Sequence, residues 1–528
     1  MLRAFLRQIS EGSLFCSKEL GGGRNWKISL ALALLVLSFP LTVLANNVRV
    51  SRVVVADQDS GTHTAKIGLN ISWDNSWYDT ANHDAVWIFV KYSTDSGTSW
   101  HHATLKTAGS NPTGFERGTG TTLDLVVPAD LKGCFIRRSS AGTGTVSTSG
   151  IKLVWDYAAN GVSDANARAT STRVNVFAIE MVYIPEGAFY VGSGGTEANS
   201  FTDGSWVDGA TIPYRVTSEA ALTLNAVEGS LWSNGGPCGI GGAGPLAATF
   251  PKGYAPFYLM KYKISEGQWV GFFNTLTATQ KATRDITAAS GKNSDGVVNR
   301  NTIFWESGDA RTTRSPRACG FLSWMDLAAY ADWAGLRPMT ELEFEKACRG
   351  AGNSPVVGEY AWGNDSITKP TADGISGPET GGETIATSGA NALYGNVSFT
   401  GVTEPGTGPL RVGIFATTST ATRAASGAGY YGNMDLSGNV WERVVTVGNL
   451  EGRGFNGAHG DGGLTAQGDA NESWPGLSDA VGSGLKGGGW SVASADVARL
   501  SVSDRDQAAT ADTTRGADYG GRCARTAP

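Results

Sequence analysis

The sequence predicts an α+β protein in which an antiparallel β-module precedes a loop-rich domain with few helices. Apolar and polar residues alternate in the first third of the chain, whereas helix signals are confined to a few places after residue 180. Glycine contributes 72 of the 528 residues, well above its average share, and charged residues make up 17%, below the usual share. This composition is typical of a globular protein with many ordered loops, and its 16 tryptophans, 15 tyrosines and 19 phenylalanines argue against disorder.

The N-terminus is typical of a secretory signal peptide, which we assign to residues 1–45. Arg24 and Lys27 precede an apolar run over residues 28–44, and the run ends in small residues at Ala45. We expect cleavage after Ala45 and a secreted, periplasmic or cell-surface protein. A membrane anchor is the alternative, but the run is short for a span, and no later segment is long and apolar enough, so we expect no membrane span in the mature chain.

The net charge also restricts the partners of the protein. It is −6, and the sequence contains no long run of lysine or arginine. Nucleic-acid binding proteins rely on basic patches to neutralise phosphates, so we expect no nucleic-acid partner.

Residues 46–175 are predicted to form an antiparallel, β-sandwich-like accessory module for attachment or presentation. Apolar residues alternate over residues 67–73, and strongly β-prone runs follow at residues 86–92 and 152–157. The module contains four tryptophans that could form a carbohydrate platform or belong to its core: Trp73, Trp77, Trp87 and Trp100.

Helix signals in the second part of the chain consist mainly of capping residues. Ser323 with Asp326, and Thr340 with Glu343, have the spacing of a helix N-cap and its third residue, and Gly350 is placed to end the second helix. The remainder of this part is predicted to be loops on a modest scaffold.

Six spaced motifs in this part resemble those of the formylglycine-generating enzyme, or sulfatase-modifying factor, family. They lie at residues 181–192, 258–274, 322–350, 360–363, 434–442 and 487–490, and a closing Gly-Gly-Arg-Cys-Ala at 520–524 resembles the family's last strand. The resemblance implies a C-type-lectin-like, mixed α/β fold for a domain at residues 179–528. The β-module lies outside the resemblance.

The resemblance implies a chemistry that this chain lacks residues for. Family enzymes oxidise the cysteine of a Cys-x-Pro-x-Arg sequence with copper held by two thiolates, whose positions correspond to Val492 and Val497 here. Valine binds no Cu(I), and the five histidines contain no His-x-x-x-His-x-Glu iron motif, so we expect neither copper nor iron and assign no catalytic residue. This favours a non-catalytic, lectin-like binding or display protein. The alternative is a cysteine-independent oxidoreductase or a sulfatase-modifying enzyme of the same family.

The segment at residues 490–519 is the predicted ligand-binding region. Of the 28 residues from 491 to 518, 19 are Ala, Ser, Asp or Thr, and the segment resembles the variable regions that diversity-generating retroelements rewrite in surface proteins. An ordinary solvated loop is the alternative. Its ligand would be a protein or carbohydrate at the cell surface. The candidate ligand-binding residues are Trp490, Val492, Ser494, Asp496, Val497, Arg499, Ser501 and Arg505.

The resemblance also implies a structural calcium ion and a disulfide bond. In the family, a loop like residues 437–442 binds Ca²⁺, which makes Asn439 and Glu442 the candidate oxygen ligands. The alternative is that Asn439 holds a turn while Glu442 pairs with an arginine. Cys348 and Cys523 each match one partner of a different family disulfide, which suggests that these two cysteines recombine into one bond, the alternative being two buried thiols.

Overall fold

The structure is a computed structural model that describes residues 48–207, 210–233, 238–417, 420 and 422–528. The predicted signal peptide lies outside these residues. The described chain is mostly β, with few helices. The first ten strands are β1 (Arg49–Asp59), β2 (Thr64–Tyr78), β3 (Asp84–Ser93), β4 (His101–His102), β5 (Gly109–Ser110), β6 (Glu116–Gly120), β7 (Leu123–Val127), β8 (Cys134–Arg138), β9 (Gly142–Asp156) and β10 (Arg173–Ile184).

The later strands are mostly short. They are β11 (Phe189–Val191), β12 (Phe201–Thr202), β13 (Trp206–Val207), β14 (Ala210–Thr211), β15 (Tyr214–Val216), β16 (Leu222–Leu224), β17 (Trp232–Ser233), β18 (Gly244–Leu246), β19 (Phe257–Met260), β20 (Phe304–Glu306), β21 (Asp309–Arg311), β22 (Arg337–Pro338), β23 (Ile375–Ser376), β24 (Thr384–Ile385), β25 (Trp441–Val445), β26 (Ser483–Lys486), β27 (Tyr519–Gly520) and β28 (Cys523–Thr526).

The helices of the described residues lie almost entirely in the second part of the chain. They are α1 (Asp164–Ala167), α2 (Glu266–Phe273), α3 (Ala278–Arg284), α4 (Trp324–Trp333), α5 (Glu341–Arg349), α6 (Arg423–Ser426) and α7 (Leu450–Arg453), with a 3₁₀ helix at Ser494–Leu500. No helix in the described part of the chain has the length and apolar character needed to cross a membrane.

The capping signals in the sequence correctly predicted two of these helices. The Ser323 side chain accepts from the Asp326 amide while the Asp326 carboxylate accepts from the Ser323 amide, which forms a capping box at the start of α4. Thr340 and Glu343 form the same reciprocal pair at α5, which ends at Gly350 with a positive φ of 86°.

Three sheets organise the strands. A nine-stranded sheet has the order β22-β28-β19-β10-β3-β8-β7-β5, with β4 paired to β3; a four-stranded sheet has the order β1-β2-β9-β6. A three-stranded sheet, β26-β25-β27, lies in the second part of the chain. The remaining pairs are two-stranded ribbons within long loops.

Strand β10 joins the first and second parts of the chain. It spans Arg173–Ile184, so it crosses the region at which we placed the boundary between the β-module and the following domain. One edge of β10 pairs with β3 of the module, and Met181–Ile184 at its end pair with β19 of the second part. One continuous sheet therefore contains strands from both parts.

Strand β3 is buried on both faces, which explains its uninterrupted apolar run. Val86, Ile88 and Val90 pack in a cluster with the four-stranded sheet. Trp87 and Phe89 point to the opposite face, into a cluster with the helices α2 and α4. A strand covered on both sides carries apolar residues on both faces. Trp87 and Trp73 are at most 1% exposed, so the core interpretation is correct for these two tryptophans.

Candidate functional site

The candidate site is built where two of the glycine-containing motifs lie side by side. The Trp490 amide donates to the Asn439 carbonyl at 2.7 Å, and the Gly438 amide donates to the Gly487 carbonyl at 2.8 Å. Gly487 has a φ of +81°, and a Cβ there would lie 2.3 Å from the Leu436 carbonyl oxygen. Only glycine allows this close approach, so the motif at residues 487–490 is required for the chain to turn out of β26.

The chain reaches the surface immediately after this turn. Trp490 and Val492 are 5% and 6% exposed, and their side chains pack into two different apolar clusters. Between and after them, short side chains point into solvent at residues 491, 493–496 and 498. Leu500 is fully buried and ends the 3₁₀ helix. The segment is thus an exposed turn of small residues held by apolar side chains on both sides.

Four of the eight predicted ligand-binding residues lie on this surface. Ser494 and Asp496 are exposed, and Val497 and Arg499 are partly exposed. The Arg499 guanidinium pairs with the Asp506 carboxylate at 2.9 Å, with 42% of the arginine side chain in solvent. These four side chains can contact a ligand without rearrangement of the core. We call residues 491–499 the exposed turn.

The other four predicted residues are buried, which corrects their assignment as ligand contacts. Trp490 and Val492 anchor the exposed turn, and Ser501 is 1% exposed. Arg505 is fully buried: its Nε donates to Glu341 Oε2 at 2.6 Å, and its guanidinium lies 4.1 Å from the Phe201 ring. It also donates to the Ser233 hydroxyl and to two backbone carbonyls. Sequence composition suggested a solvated segment, but these long-range partners hold Arg505 in the core, where residues 500–505 are all buried.

Two residues beside the exposed turn, Lys369 and Tyr394, could not be predicted as site residues from the sequence. The Lys369 ammonium donates to the Ser494 hydroxyl at 3.0 Å and lies 5.7 Å from the centre of the Tyr394 ring. Lys369 is 125 residues from Ser494 along the chain and stands in a loop without a motif, so only the fold brings the two together. It places a second positive charge, besides that of Arg499, at the edge of a surface made mostly of small side chains.

Asn439 and Glu442, the predicted calcium ligands, both have protein partners in the structure. Both are buried. The Asn439 Oδ1 accepts from the Leu410 amide at 3.0 Å, and the backbone of Asn439 has a φ of +70°, as in a turn. Glu442 lies between two cations, at 2.7 Å from the Lys263 ammonium and 2.7 Å from the Arg522 guanidinium.

Those two cations also decide the ionisation of Glu442. Burial acts to raise its pKa, but Arg522 and Lys263 outweigh burial, so the pKa of Glu442 lies below its ordinary value. A carboxylate already neutralised by two side chains has little affinity left for a divalent cation. The contacts are therefore those of the alternative interpretation, a turn and an ion pair.

The predicted Cys348–Cys523 disulfide is not formed. All five cysteines of the described residues are free thiols, and all are buried, with exposed fractions of 2% or less. Cys348 packs with Phe344 and Tyr360 in one apolar cluster, whereas Cys523 packs with Tyr330 in another. Each thiol is buried in its own cluster, which agrees with the alternative of two buried thiols.

Comparison with known proteins identifies the family. The model of the sulfatase-modifying factor enzyme 1-like domain matches residues 167–527, which include the exposed turn, the three-stranded sheet and the helices α2 to α7. The chain belongs to this family. The match begins at Ala167, the last residue of α1, so the module strands β1 to β9 lie outside the family domain.

A curated member of the sulfatase-modifying factor family is similar over part of the domain. This is the formylglycine-generating enzyme of Thermomonospora curvata, 28% identical over 177 residues, which cover 29% of this chain and 56% of the relative. The chain thus matches about half the length of that relative. Membership of the family defines the domain, and the activity of this member depends on its own residues.

Proposed function

We propose that this protein is an exported ligand-binding or display protein built on the sulfatase-modifying factor domain, without the cysteine-oxidising activity of formylglycine-generating enzymes. The observation that carries the proposal is the state of the thiols. Every cysteine in the described ranges is buried, and burial raises the pKa of Cys134, Cys319, Cys348 and Cys523, that of Cys348 to about 12. Catalytic and copper-binding cysteines act as thiolates and must reach the substrate. All five cysteines of the described residues are shielded from a substrate, and the raised pKa of the four named above also disfavours their thiolates.

The exposed turn supports the binding half of the proposal. The outward side chains at residues 491, 493–496 and 498 are short and exposed. They make few contacts with the rest of the protein, so the fold tolerates their replacement. Beneath it, the Lys486 ammonium donates to the Val502 and Asp504 carbonyls, and Arg505 pairs with Glu341. A tolerant surface on a rigid base suits a binding segment whose sequence varies, as proposed for diversification by a retroelement. Its partner would be a protein or carbohydrate at the cell surface.

The catalytic half of the proposal is tested with copper and a peptide that carries the Cys-x-Pro-x-Arg sequence. We expect the mature protein to bind no Cu(I) tightly and to produce no aldehyde from the peptide, measured by mass spectrometry after hydroxylamine capture. The double variant Val492→Cys/Val497→Cys is expected to gain Cu(I) binding, whereas the matched variant Val492→Ser/Val497→Ser gains none, since serine is a poor Cu(I) ligand. Aldehyde formation by the unaltered protein would overturn the proposal.

The binding half is tested by displaying two libraries of the protein. One randomises Ser494, Asp496, Val497 and Arg499, and the other randomises the buried residues Ser501 and Arg505. We expect most members of the first library to remain folded and to yield binders to a chosen protein or glycan, and most members of the second to be lost to proteolysis. Equal survival of both libraries, or no binders from the first, would contradict the assignment of the exposed turn as the binding surface.

A further inference from the structure

A cleft of about 380 Å³ opens at the end of the nine-stranded sheet, away from the exposed turn. Its lining includes Tyr78 and Asp79 at the end of β2, His83 before β3, Arg137 in β8, Tyr183 in β10 and Tyr258 in β19. No residue of the exposed turn lines it. The volume lies at the lower end of the range of small-molecule sites, and it suits a ligand of one or two sugar rings.

Three aromatic rings form the rigid wall of the cleft. The imidazole of His83 is stacked between Tyr78 and Tyr183, with ring centres 5.0 and 4.6 Å away. The cleft therefore has a preorganised base that a ligand need not order on binding. The hydroxyls of Tyr78 and Tyr183 have no hydrogen-bond partner among the described residues, whereas the Tyr258 hydroxyl lies 3.0 Å from His83 Nε2. Two phenolic groups are thus free to bind a ligand.

The histidine is an uncharged acceptor. Burial, and then the nearby Arg137 charge, lower the pKa of His83 to about 3. Arg137 Nη1 lies 3.2 Å from His83 Nε2, and because a guanidinium only donates, this nitrogen accepts and the ring proton is on Nδ1. His83 therefore orients Arg137 without neutralising it.

Arg137 retains part of its hydrogen-bonding capacity. Its Nε is buried without a partner, and it forms no ion pair with a carboxylate of the described residues. By contrast, Arg337, Arg349 and Arg505 each donate to a glutamate at 2.6 Å. An uncompensated guanidinium in a cleft is a site for a carboxylate or another oxyanion.

Asp79 favours an anionic ligand that carries hydroxyl groups over an anion that carries none. It is exposed at the rim, where its Oδ1 accepts from the amides of Ala81 and Asn82 at 2.7 and 2.9 Å. Its second oxygen can accept from a ligand hydroxyl, whereas its charge would repel an anion without donors. We propose that this cleft binds a sugar acid, with the carboxylate on Arg137 and the ring hydroxyls facing Asp79 and the tyrosine hydroxyls. The carboxylate can belong to a free monosaccharide or to a residue of a polysaccharide.

The test uses the mature protein and four probes in calorimetric or NMR titrations: glucuronic acid, glucose, a glucuronic acid-containing oligosaccharide and glucose 6-sulfate. We expect the acid to bind at least about tenfold more tightly than glucose, because the charge-assisted contacts to Arg137 are absent for the neutral sugar. If the oligosaccharide binds more tightly than free glucuronic acid, the carboxylate that the cleft recognises belongs to a residue of a polysaccharide. Equal affinities for glucuronic acid and glucose, or binding of the sulfate alone, would overturn the proposal.

Variants of the cleft provide the second part of the test. Arg137→Met is expected to weaken glucuronic acid binding at least about tenfold, and Tyr183→Phe by a smaller factor, since it removes one neutral hydroxyl. Arg117→Met is the matched control: it removes the same charge from β6 of the four-stranded sheet, where Arg117 is exposed and outside the cleft. Because Tyr183→Phe keeps the ring stack, its effect is interpretable if Arg137→Met fails to fold. Unchanged binding in both cleft variants would refute the site.

Discussion

Replacing Arg505 with methionine provides a sharp test of how the segment at residues 490–519 is built. Two of its arginines have opposite environments. Arg505 is fully buried and bound to Glu341 through two hydrogen bonds, at 2.6 and 3.1 Å, whereas the Arg499 side chain is 42% exposed and makes one ion pair. The variants Arg505→Met and Arg499→Met remove the same charge from positions six residues apart.

The magnitudes follow from burial. Removing one partner of a buried ion pair leaves the other charge uncompensated and costs about 3–5 kcal/mol, whereas an exposed pair contributes about 0–1 kcal/mol. With an unfolding entropy of about 2 cal/mol/K per residue, a chain of this length loses about one degree of melting temperature per kcal/mol. We therefore expect Arg505→Met to melt about 3–5 °C below the unaltered protein and Arg499→Met within about one degree of it.

The assay is thermal unfolding of the purified variants, followed by calorimetry and by circular dichroism. A third variant, Arg505→Met/Glu341→Gln, also removes the Glu341 charge that Arg505→Met leaves without a partner. We expect its loss of stability to be smaller than the sum of the losses in the single variants Arg505→Met and Glu341→Gln. If Arg505→Met melts together with Arg499→Met, the buried ion pair does not hold the segment and the division between the exposed turn and its base is wrong.

Four further outcomes are expected. His83 is neutral in the folded protein because its pKa is lowered from 6.5 to about 3. Its contribution to the free energy of unfolding is complete above pH 6.5 and is lost as the pH falls towards 3, because in this range only the unfolded chain binds a proton at His83. In denaturant titrations, His83→Gln should reduce the slope of the free energy of unfolding against pH by about 1.4 kcal/mol per pH unit. Melting should be equal in EDTA and in millimolar calcium, because Glu442 already has two cations; a calcium-induced rise of several degrees would contradict its ion-paired role. Alkylation and peptide mapping should find Cys348 and Cys523 both free and reactive only after denaturation, and a mapped bond between them would contradict the structure. A chain starting at residue 179 should aggregate, because it exposes the edge of β10 that pairs with β3 and the apolar surface of α2 and α4 that Trp87 and Phe89 cover; a monomeric, cooperatively melting product would show that the module is dispensable.

The elements that could be predicted from the sequence are those held by local contacts. The capping boxes at Ser323 and Thr340 join residues three positions apart, so their hydrogen bonds depend on little else than the local chain. The strand at β3 was predicted from its β-branched and aromatic run, which is a local property of the sequence, although its partners β8 and β10 are distant along the chain. The ordered motifs, and with them the family, were also present in the sequence alone.

The roles of single polar residues were decided by the tertiary structure. Arg505 is 164 residues from Glu341, and Glu442 is 179 residues from Lys263, so no local pattern could indicate that these charges are buried and paired. The free energy of a charged side chain depends on whether a partner compensates its loss of water, and that partner is supplied by the fold. Sequence by itself therefore determined the main strands of the β-module and the two capped helices, whereas the packing of distant segments determined which residues of the candidate site face a ligand and which support it.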